Sequence, residues 1–267
     1  MAARVMKPLE CFQSLGATAC IWLNGVAAAS ERPCWERLWN GASYRMCTDG
    51  GANHIFDRVR DGALESPLMV SGNMDSLKED IRAFLKGKGC DMNHTPFKDK
   101  SHLTKCLEVL RNRLPLEQSQ THSLNYLRSA LADLRPHHSP EIERVLILGG
   151  LTGRFDHTLG VINSVVSVDF IAHGADVIVL DGENLATGSH LIDLDQSMLT
   201  SMCGIVPICQ TRTTVTTAGF RWNLDNKDLA FGGLISTSNE IASNEVKIST
   251  NAPVMFNVEL QKATTSK

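Results

Sequence analysis

The sequence predicts the α/β fold class, with an N-terminal domain built on a parallel sheet and a C-terminal all-β sandwich. One observation is Val145–Leu148, a continuous apolar run typical of a strand buried on both faces of a parallel sheet. A second is that strand-like runs alternate with segments of helical periodicity up to residue 184. A third is a change of sequence pattern near Leu185, after which segments are short, alternate between apolar and polar residues, and are rich in Thr, Ser and Val. We therefore predict two domains, at residues 1–184 and 185–267.

The composition excludes several classes of protein. With 267 residues, 43% of them hydrophobic and 21% charged, the chain is long enough to bury one large core or two modest ones. A formal net charge of −3 gives no general attraction to nucleic acid or to an anionic membrane. No apolar stretch is long enough to span a bilayer, and Met1–Glu10 lacks the apolar core of a signal peptide. We expect binding to neither nucleic acid nor membrane.

The eight cysteines include no C-x-x-C pair, which disfavours a zinc knuckle or a thioredoxin-type motif. Cys20, Cys47 and Cys106 lie in or beside apolar segments, where reduced and buried cysteines are usually found. This usage predicts a reducing, cytoplasmic compartment.

In the N-terminal half we expect strands and helices to alternate. Trp35 and Trp39, four residues apart, indicate the core face of a short helix. The polar segment Leu114–Pro140 predicts a helical insertion at the protein surface. The expected strands are Ala17–Asn24, Tyr44–Thr48, Leu68–Val70, Cys90–His94, Val145–Leu148 and Asp176–Leu180, and the expected helices begin near Glu31, Ala52, Leu77, Ser101 and Leu159.

The segment Asp49-Gly50-Gly51-Ala52-Asn53 directly follows the second expected strand. Two glycines between a strand and a helix let the backbone approach a ligand closely, and a helix N-terminus favours anions. The spacing matches neither G-x-G-x-x-G nor a P-loop. The segment is therefore a candidate anion site without a standard nucleotide fingerprint.

The next strand ends in Gly72, followed by Asn73 and Asp75, two side chains able to bind a cation. Ser76 and Glu79 have the spacing of a capping box, which predicts a helix over Leu77–Gly87. The alternative is a plain strand–turn–helix connection with an Asx cap.

Two later segments carry further candidates. Ser101 is a good N-cap, and Asp99 just before it is a loop carboxylate whose importance depends on what it faces.

After Val145–Leu148, a glycine-rich segment leads to Arg154 and Asp156. Arginine offers the fork geometry that phosphate recognition uses, so a phosphate-facing loop is credible. An Arg–Asp pair that braces the turn is the alternative.

In the C-terminal half, the Trp222 side chain can be a core residue or a stacking platform, and Ser236–Asn239 can be a polar turn or a set of hydrogen-bond donors. The expected strands there are His190–Asp195, Gly204–Cys209, Thr213–Thr217, Leu229–Ser236 and Pro253–Leu260.

Taken together, these segments resemble the thiamine pyrophosphokinase family, animal type. The resemblance runs from about Ala17 to the C-terminus and is interrupted mainly at Leu114–Pro140. Each block is weak alone, but their order across both predicted domains is very specific. The matching blocks are Asp49-Gly-Gly-Ala-Asn53, Gly72-x-x-Asp-Ser76, Thr104-Lys-Cys-Leu107, Gly149-Gly-Leu-x-Gly-Arg-Phe-Asp156, Trp222-Asn-Leu224 and Ser236-Thr-Ser-Asn239.

The resemblance implies a Rossmann-like domain that binds ATP and Mg²⁺, a thiamine-binding β-sandwich, and a homodimer with thiamine near the subunit interface. The implied reaction moves the β,γ-pyrophosphoryl group of ATP onto the hydroxyethyl oxygen of thiamine, giving thiamine diphosphate and AMP. Such chemistry depends on positioning and charge neutralisation, and Mg²⁺ prefers a few carboxylate oxygens together with phosphate and water.

The resemblance also assigns residues to roles. Asp75 and Asp99 match the carboxylates that hold the metal, and with Asp156 and Asn73 they form the implied catalytic set. The implied ATP-binding residues are Asp49, Gly50, Gly51, Asn53, Thr104, Lys105, Gly153 and Arg154, and the implied thiamine-binding residues are Trp222, Ser236, Ser238 and Asn239.

Two blocks depart from the family pattern. The family signature is Gly-Asp-x-Asp-Ser, but the first acid is Asn73 here. In the block that leads to Lys105, only Asp99 remains of three acids, and His102 stands where relatives have Asp. These changes predict reduced activity, and they leave as the alternative an impaired paralogue that binds thiamine, thiamine diphosphate or an active subunit. An unrelated dinucleotide-binding oxidoreductase is disfavoured because G-x-G-x-x-G is missing.

Overall fold

The computed structural model describes residues 6–24, 32–96, 100–111, 142–167, 175–182, 184–187, 191–194, 196–208 and 212–261. The strands are β1 (Thr18–Trp22), β2 (Tyr44–Thr48), β3 (Met69–Gly72), β4 (Asp91–His94), β5 (Arg144–Leu148), β6 (Asp176–Asp181), β7 (Asn184–Thr187), β8 (Leu191–Asp193), β9 (Leu199–Pro207), β10 (Thr213–Ala218), β11 (Lys227–Leu229), β12 (Ser236–Glu240), β13 (Glu245–Thr250) and β14 (Val254–Leu260). The α-helices are α1 (Arg32–Gly41), α2 (Asp49–Arg60), α3 (Glu79–Gly87), α4 (His102–Arg111) and α5 (Phe155–Ser167), and short 3-10 helices lie at Pro8–Phe12 and Gln196–Met198.

The parallel half of the fold is a sheet with strand order β6-β5-β1-β2-β3-β4. Every residue of β1 is buried, because both faces of the sheet are covered. Cys20 and Trp22 belong to the hydrophobic cluster on one face, whereas Ala19 and Ile21 belong to the cluster on the other. This alternation is the period of two expected of a strand, and it confirms the predicted parallel α/β sheet.

The tryptophans predicted for the helix core lie where expected. Trp35 and Trp39 of α1 are 1% and 0% exposed. Their rings pack edge-on against the Trp22 ring, with centroids 5.1 and 5.7 Å away. Edge-to-face packing of this kind is the favoured arrangement of aromatic rings.

The C-terminal half is a β-sandwich, as predicted, but one of its layers continues the parallel sheet. Strand β7 pairs antiparallel with β6, and β14, β9 and β12 follow, so that the sheet has ten strands. The second layer has the strand order β11-β10-β13-β8. The Phe220 and Phe256 rings meet edge-on between the layers, with centroids 5.7 Å apart. The predicted boundary between residues 184 and 185 falls within this continuous sheet, and it stays a prediction.

Three local predictions are wrong. Helix α2 begins at Asp49, so the predicted glycine turn is the first turn of the helix. Helix α3 begins at Glu79 after Lys78, and no side chain caps it, so the capping box does not form. The predicted strand Leu229–Ser236 is a turn between β11 and β12, because adjacent glycines, one with φ +82°, reverse the chain at Gly232.

Some predictions lie outside the described residues, namely those for Asp99 and for the Leu114–Pro140 insertion. In the ranges that the structure does describe, no helix is long and apolar enough to cross a membrane.

Candidate functional site

The predicted nucleotide-side blocks meet at one edge of the parallel sheet. They follow β2, β3 and β5, and the carboxyl ends of these parallel strands all lie at the same edge. The chain crosses the sheet from β1 to β4 and then returns to β5 on the other side of β1. In open α/β sheets, ligands bind at such a reversal point, outside the carboxyl ends of the strands.

The first block brings the N-terminus of α2 very close to β1. The Thr48 hydroxyl caps the helix by accepting a hydrogen bond from the Gly51 amide, 3.2 Å away. A Cβ atom at Gly51 would lie 2.4 Å from the Trp22 carbonyl oxygen, and one at Gly50 would lie 2.6 Å from the Asn24 side chain. The two glycines are therefore required by close packing at the helix start, where the positive end of the helix dipole favours anions.

Asp49, the first residue of α2, is the most constrained acid of the site. It is 1% exposed, and its Oδ1 lies 2.6 Å from His102 Nδ1 and 2.8 Å from the Gly50 amide. Burial raises the pKa of Asp49, but the hydrogen bond and charge of His102, with the Gly50 amide, outweigh it, so the pKa lies below its ordinary value. Its Oδ2 is buried without a hydrogen-bond partner in the described part of the chain. This oxygen can accept a bond from a ligand.

Gly72 is required by the same carboxylate. A Cβ atom there would lie 2.7 Å from Asp49 Cγ and 2.9 Å from its Oδ2. The glycine of the second block therefore makes room for the acid of the first, 23 residues earlier in the chain.

The turn after Gly72 is closed by its own side chains. Asn73 Nδ2 donates to Asp75 Oδ2 at 2.9 Å, and the Asp75 amide is 3.3 Å from Asn73 Oδ1. Met74 between them has φ +64°, a left-handed conformation uncommon outside glycine. Strained residues of this kind concentrate at functional sites, and they persist only where surrounding contacts fix them.

Asn53 ties this turn to α2. Its Nδ2 donates to the Ser76 carbonyl oxygen at 2.6 Å, and its Oδ1 lies 3.3 Å from the Lys78 amide. The Asn53 side chain thus holds the start of α3, and the N-cap of that helix is Lys78 rather than Ser76. The first two sequence blocks are one structural unit.

The third block lies on α4 beside the same edge. Ser101 caps α4 as predicted, because its hydroxyl accepts from the Thr104 amide at 3.0 Å. The Thr104 and Ser164 hydroxyls are 2.9 Å apart and join α4 to α5. Lys105 is 5% exposed, and its Nζ donates to the Thr95 carbonyl oxygen just after β4, at 2.9 Å. The lysine therefore brings a positive charge to the carboxyl edge of the sheet.

The loop after β5 is held by an acid that the sequence reasoning missed. Asp181, the last residue of β6, is 2% exposed, and its Oδ2 accepts from the Leu151 and Thr152 amides at 2.6 and 2.8 Å and from the Thr152 hydroxyl at 2.9 Å. Gly150 has φ +99°, and a Cβ atom there would lie 2.7 Å from Val161 Cγ2. The sequence did offer a signal for Asp181, namely an aspartate directly after a buried apolar strand.

Arg154 and Asp156 form an exposed pair at the end of this loop. Arg154 Nε and Nη2 donate to the two carboxylate oxygens of Asp156 at 3.0 and 2.5 Å. The pair lowers the pKa of Asp156 and raises the pKa of Arg154. Gly153 beside them has φ +87° and open space around its Cα. The geometry matches the turn-bracing alternative, and it also presents the guanidinium to solvent, where a phosphate can reach it.

The thiamine-side blocks meet each other in the β-sandwich. Asn239 is 3% exposed, its Nδ2 donates to the Trp222 carbonyl oxygen at 2.9 Å, and its Oδ1 accepts from the Trp222 amide at 3.3 Å. Ser236 Oγ lies 3.5 Å from the same Nδ2, and Ser238 has φ +58° at a bulge in β12. The Trp222 indole is 53% exposed, so it is a surface platform rather than a core residue.

The two groups of residues are separate within one chain. No hydrogen bond or ion pair in the described ranges joins the nucleotide-side blocks to Trp222 or Asn239. Likewise, no three His, Cys, Asp or Glu side chains among the described residues are close enough to hold a metal ion by themselves.

Comparison with known proteins decides the family. The family model described as "Thiamin pyrophosphokinase, catalytic domain" matches residues 35–179, and that described as "Thiamin pyrophosphokinase, vitamin B1 binding domain" matches residues 189–255. The chain belongs to the thiamin pyrophosphokinase family. The predicted boundary at residue 184 lies between the two matches.

Relatives within the family cover nearly the whole chain. Thiamin pyrophosphokinase 1 of Caenorhabditis elegans is 35% identical over 263 residues, which is 97% of this chain and 96% of that protein. Thiamine pyrophosphokinase 1 of Oryza sativa subsp. japonica is 28% identical over 241 residues, which is 84% of this chain and 81% of that protein.

Solved structures of family members share the fold. The yeast thiamin pyrophosphokinase crystal structure has a TM-score of 0.75 at 20% identity, covering 97% of this chain and 93% of that one. The thiamin pyrophosphokinase from Candida albicans has a TM-score of 0.74 at 16% identity, covering 98% and 94%. The resemblance inferred from the sequence blocks is thus confirmed, and the impaired-paralogue alternative is not favoured.

Proposed function

We propose that this chain is a thiamine pyrophosphokinase, which transfers the pyrophosphoryl group of ATP to thiamine and releases AMP. The observation that carries the proposal is the meeting of Asp49, Gly72 and His102, three residues from separate blocks, at the carboxyl edge of a parallel sheet. Family membership over both matched ranges supports the same reaction.

For ATP, the proposed site is the edge between α2 and the loop after β5. The positive end of the α2 dipole, at the Gly50–Asn53 segment, favours the phosphates, and Arg154 offers an exposed guanidinium. Lys105 lies on the β4 side of the edge, where its charge compensates phosphate charge, and Thr104 lies on the α5 side. Asp156 keeps Arg154 oriented, and it stays ionised because its pKa is lowered.

For Mg²⁺, the donor chemistry of the edge fits. Buried Asp49 Oδ2 lacks a hydrogen-bond partner in the described part of the chain, and Asp75 and Asn73 add oxygen atoms on the next loop. Magnesium is usually held by one or two carboxylates together with substrate phosphates, so a complete protein cage is not required. We propose that Asp75 and Asp99 hold the ion, which when bound neutralises phosphate charge.

For thiamine, the proposed site is the exposed Trp222 indole with Ser236 and Ser238 beside it. Thiamine carries a cationic ring, and an indole face attracts cations. Asn239 is buried and uses its amide on the Trp222 main chain, so we assign it to holding this loop. The acceptor hydroxyl of thiamine would then be oriented by stacking, and correct orientation supplies much of the rate in such transfers.

We also propose a homodimer, in which the thiamine platform of one chain faces the nucleotide edge of another. Along α5, Phe155, Leu159 and Val166 repeat at helical spacing and are 75%, 50% and 37% exposed. Phe231 and Leu234, in the turn between β11 and β12, are 71% and 51% exposed. Apolar side chains exposed in this way are typical of surfaces that bind a protein.

We propose a cytoplasmic location. Cys34, Cys47, Cys90, Cys106 and Cys203 form no disulfide, and burial raises the pKa of Cys106 to about 12. Thiols kept protonated in this way are inert structural residues. Fractionation of cells that express the chain would test the assignment, and recovery from an oxidising compartment would refute it.

The decisive experiment is AMP release from ATP on addition of thiamine and Mg²⁺. Product should form with the wild type and fall sharply with Asp75→Asn and with Trp222→Ala. If no AMP is released at high enzyme concentration, the proposal is refuted. Mixing equal amounts of those two variants tests the dimer, because random pairing makes about half of the dimers mixed and each mixed dimer has one intact shared site, so that the mixture regains about a quarter of wild-type activity.

A further inference from the structure

Trp222 is held differently from the other tryptophans. Trp22, Trp35 and Trp39 are 4%, 1% and 0% exposed and are fixed by core packing, whereas Trp222 is 53% exposed. Asn239 holds the main chain of Trp222 through two hydrogen bonds, and neither of them involves the ring. A ring that acts as a binding platform must be ordered by something else.

Arg221 lies over the ring. Its Cζ is 4.7 Å from the indole centroid of Trp222, within the range of a cation–π contact. Its Nη1 donates to both carboxylate oxygens of Glu240, at 2.9 and 2.8 Å. The Arg221 amide also donates to the Glu240 carbonyl oxygen at 2.8 Å. Arg221 is therefore bound to β12 through both its main-chain amide and its guanidinium.

Asn239 and Glu240, neighbours on β12, thus hold different parts of the Arg221–Trp222 segment. The Asn239 side chain holds the main chain of Trp222, and the Glu240 side chain holds the guanidinium that covers the ring. Because one indole face is covered by Arg221, the opposite face is the one left for a ligand.

The charge of Glu240 matters as well as its position. Cations on the two faces of a single ring draw on the same π-electrons, so an uncompensated guanidinium would weaken the attraction for a second cation. The carboxylate pairs with the guanidinium and offsets this effect.

We infer that Arg221 and Glu240 form a positioning pair that orders the Trp222 indole and reserves one face of it for a cationic aromatic ring. The identity of that ring as thiamine rests on the proposed function. Arg221 acts through Trp222, so it is a positioning residue and not a catalytic one.

The first test needs no ligand. Since the other three tryptophans are buried, acrylamide quenching of tryptophan fluorescence reports mainly on Trp222. Arg221→Ala should increase the quenching constant, whereas Arg212→Ala should not. Arg212 is a matched control because it is an exposed arginine paired with Asp228 in the same half of the fold. Unchanged quenching in Arg221→Ala would overturn the positioning role.

The second test is steady-state kinetics and thiamine titration with the full chain. Arg221→Ala should raise the KM and Kd for thiamine about threefold to tenfold, the range expected for loss of an exposed cation–π contact and of ring order. The KM for ATP should stay within about twofold, because the nucleotide-side residues are unchanged. Glu240→Gln should act in the same direction, and Arg221→Lys should recover part of the affinity.

The double variant tests whether Arg221 and Glu240 act through a single interaction. Arg221→Ala combined with Glu240→Gln should bind thiamine no more weakly than Arg221→Ala alone, because each change removes the same interaction. Unchanged or tighter thiamine binding by Arg221→Ala would overturn the inference, the latter because the guanidinium would then be blocking the ring. A wild type that binds no thiamine would refute the proposed function, while the quenching result would still decide the ring contact.

Discussion

The Nδ1 atom of His102 lies 2.6 Å from Oδ1 of Asp49, a carboxylate that is 1% exposed at the first residue of α2. The two residues come from different sequence blocks, and the resemblance to the family implies an acid at the histidine position. An acid there would face Asp49 with a like charge, whereas His102 gives it a hydrogen-bond donor. The substitution therefore removes an acid and stabilises the one that remains.

His102→Ala should lower the free energy of unfolding by about 1–3 kcal/mol at pH 7, because a buried carboxylate loses its partner. Urea unfolding of both proteins measures this difference. His157→Ala, which changes an exposed histidine, is the control and should have little effect. Equal stability of His102→Ala and wild type would show that the contact contributes nothing.

The same pair predicts how stability depends on pH. The pKa of Asp49 is lower in the folded chain than in the unfolded chain, so its ionisation stabilises the fold above its unfolded value of about 3.9. That contribution is lost as the pH falls through the lower, folded pKa. In His102→Ala the folded pKa should rise, so acid unfolding should begin at a higher pH than in wild type. Coincident acid titrations, followed by circular dichroism, would contradict this.

Gly72→Ala should lower the free energy of unfolding by about 1–3 kcal/mol, because a Cβ atom would overlap the Asp49 carboxylate. Activity should fall as well, since either the carboxylate or the turn must move. Gly160→Ala is the matched control, with open space around its Cα inside α5, and should gain about 0.5–1 kcal/mol. Equal effects of the two substitutions in urea unfolding and AMP release would argue against crowding at Asp49.

Asn73→Asp should raise the rate at saturating Mg²⁺ by on the order of tenfold to a hundredfold, because it restores a negative charge beside the phosphates. Without Mg²⁺ the same change should lower the melting temperature, since the Asn73 donor to Asp75 is replaced by a repelling carboxylate. Combining it with Asp75→Asn should abolish the gain. A rate that does not rise would show that Asn73 does not limit the activity.

Arg154→Ala should reduce kcat/KM for ATP by about a hundredfold if the guanidinium contacts phosphate in the transition state. The side chains of Arg154 and Asp156 are 71% and 64% exposed, so the melting temperature should change little. Asp156→Asn provides the comparison. If both variants instead melt earlier and keep their kcat/KM, the pair only braces the turn.

Asp181→Ala should lower the free energy of unfolding by about 2–4 kcal/mol, because the Leu151 and Thr152 amides lose their acceptor. Asp181→Asn keeps one oxygen acceptor and should lose about half as much. Hydrogen exchange at the two amides should speed up in the alanine variant. Unaltered exchange would mean that another group holds the loop.

Local sequence patterns were sufficient for most of the elements. The apolar run Val145–Leu148 became a strand buried on both faces, and Ser101 became the N-cap of α4, because burial and capping depend on a few neighbouring residues. The glycines after Thr48 predict a turn, because glycine has a low helix propensity. The Thr48 cap and the close approach to β1 instead place them in a helix.

Motif order and hydrophobic period are enough to predict the family, the α/β class, the sandwich and the order of the site blocks. Which side chains meet is a property of the folded chain. Asp49 with His102, Asp181 with the loop after β5, and Arg221 with Trp222 and Glu240 depend on strand order and register. A contact between residues far apart in the chain leaves no periodic trace in the sequence, so its partners become known only when the sheet brings them together.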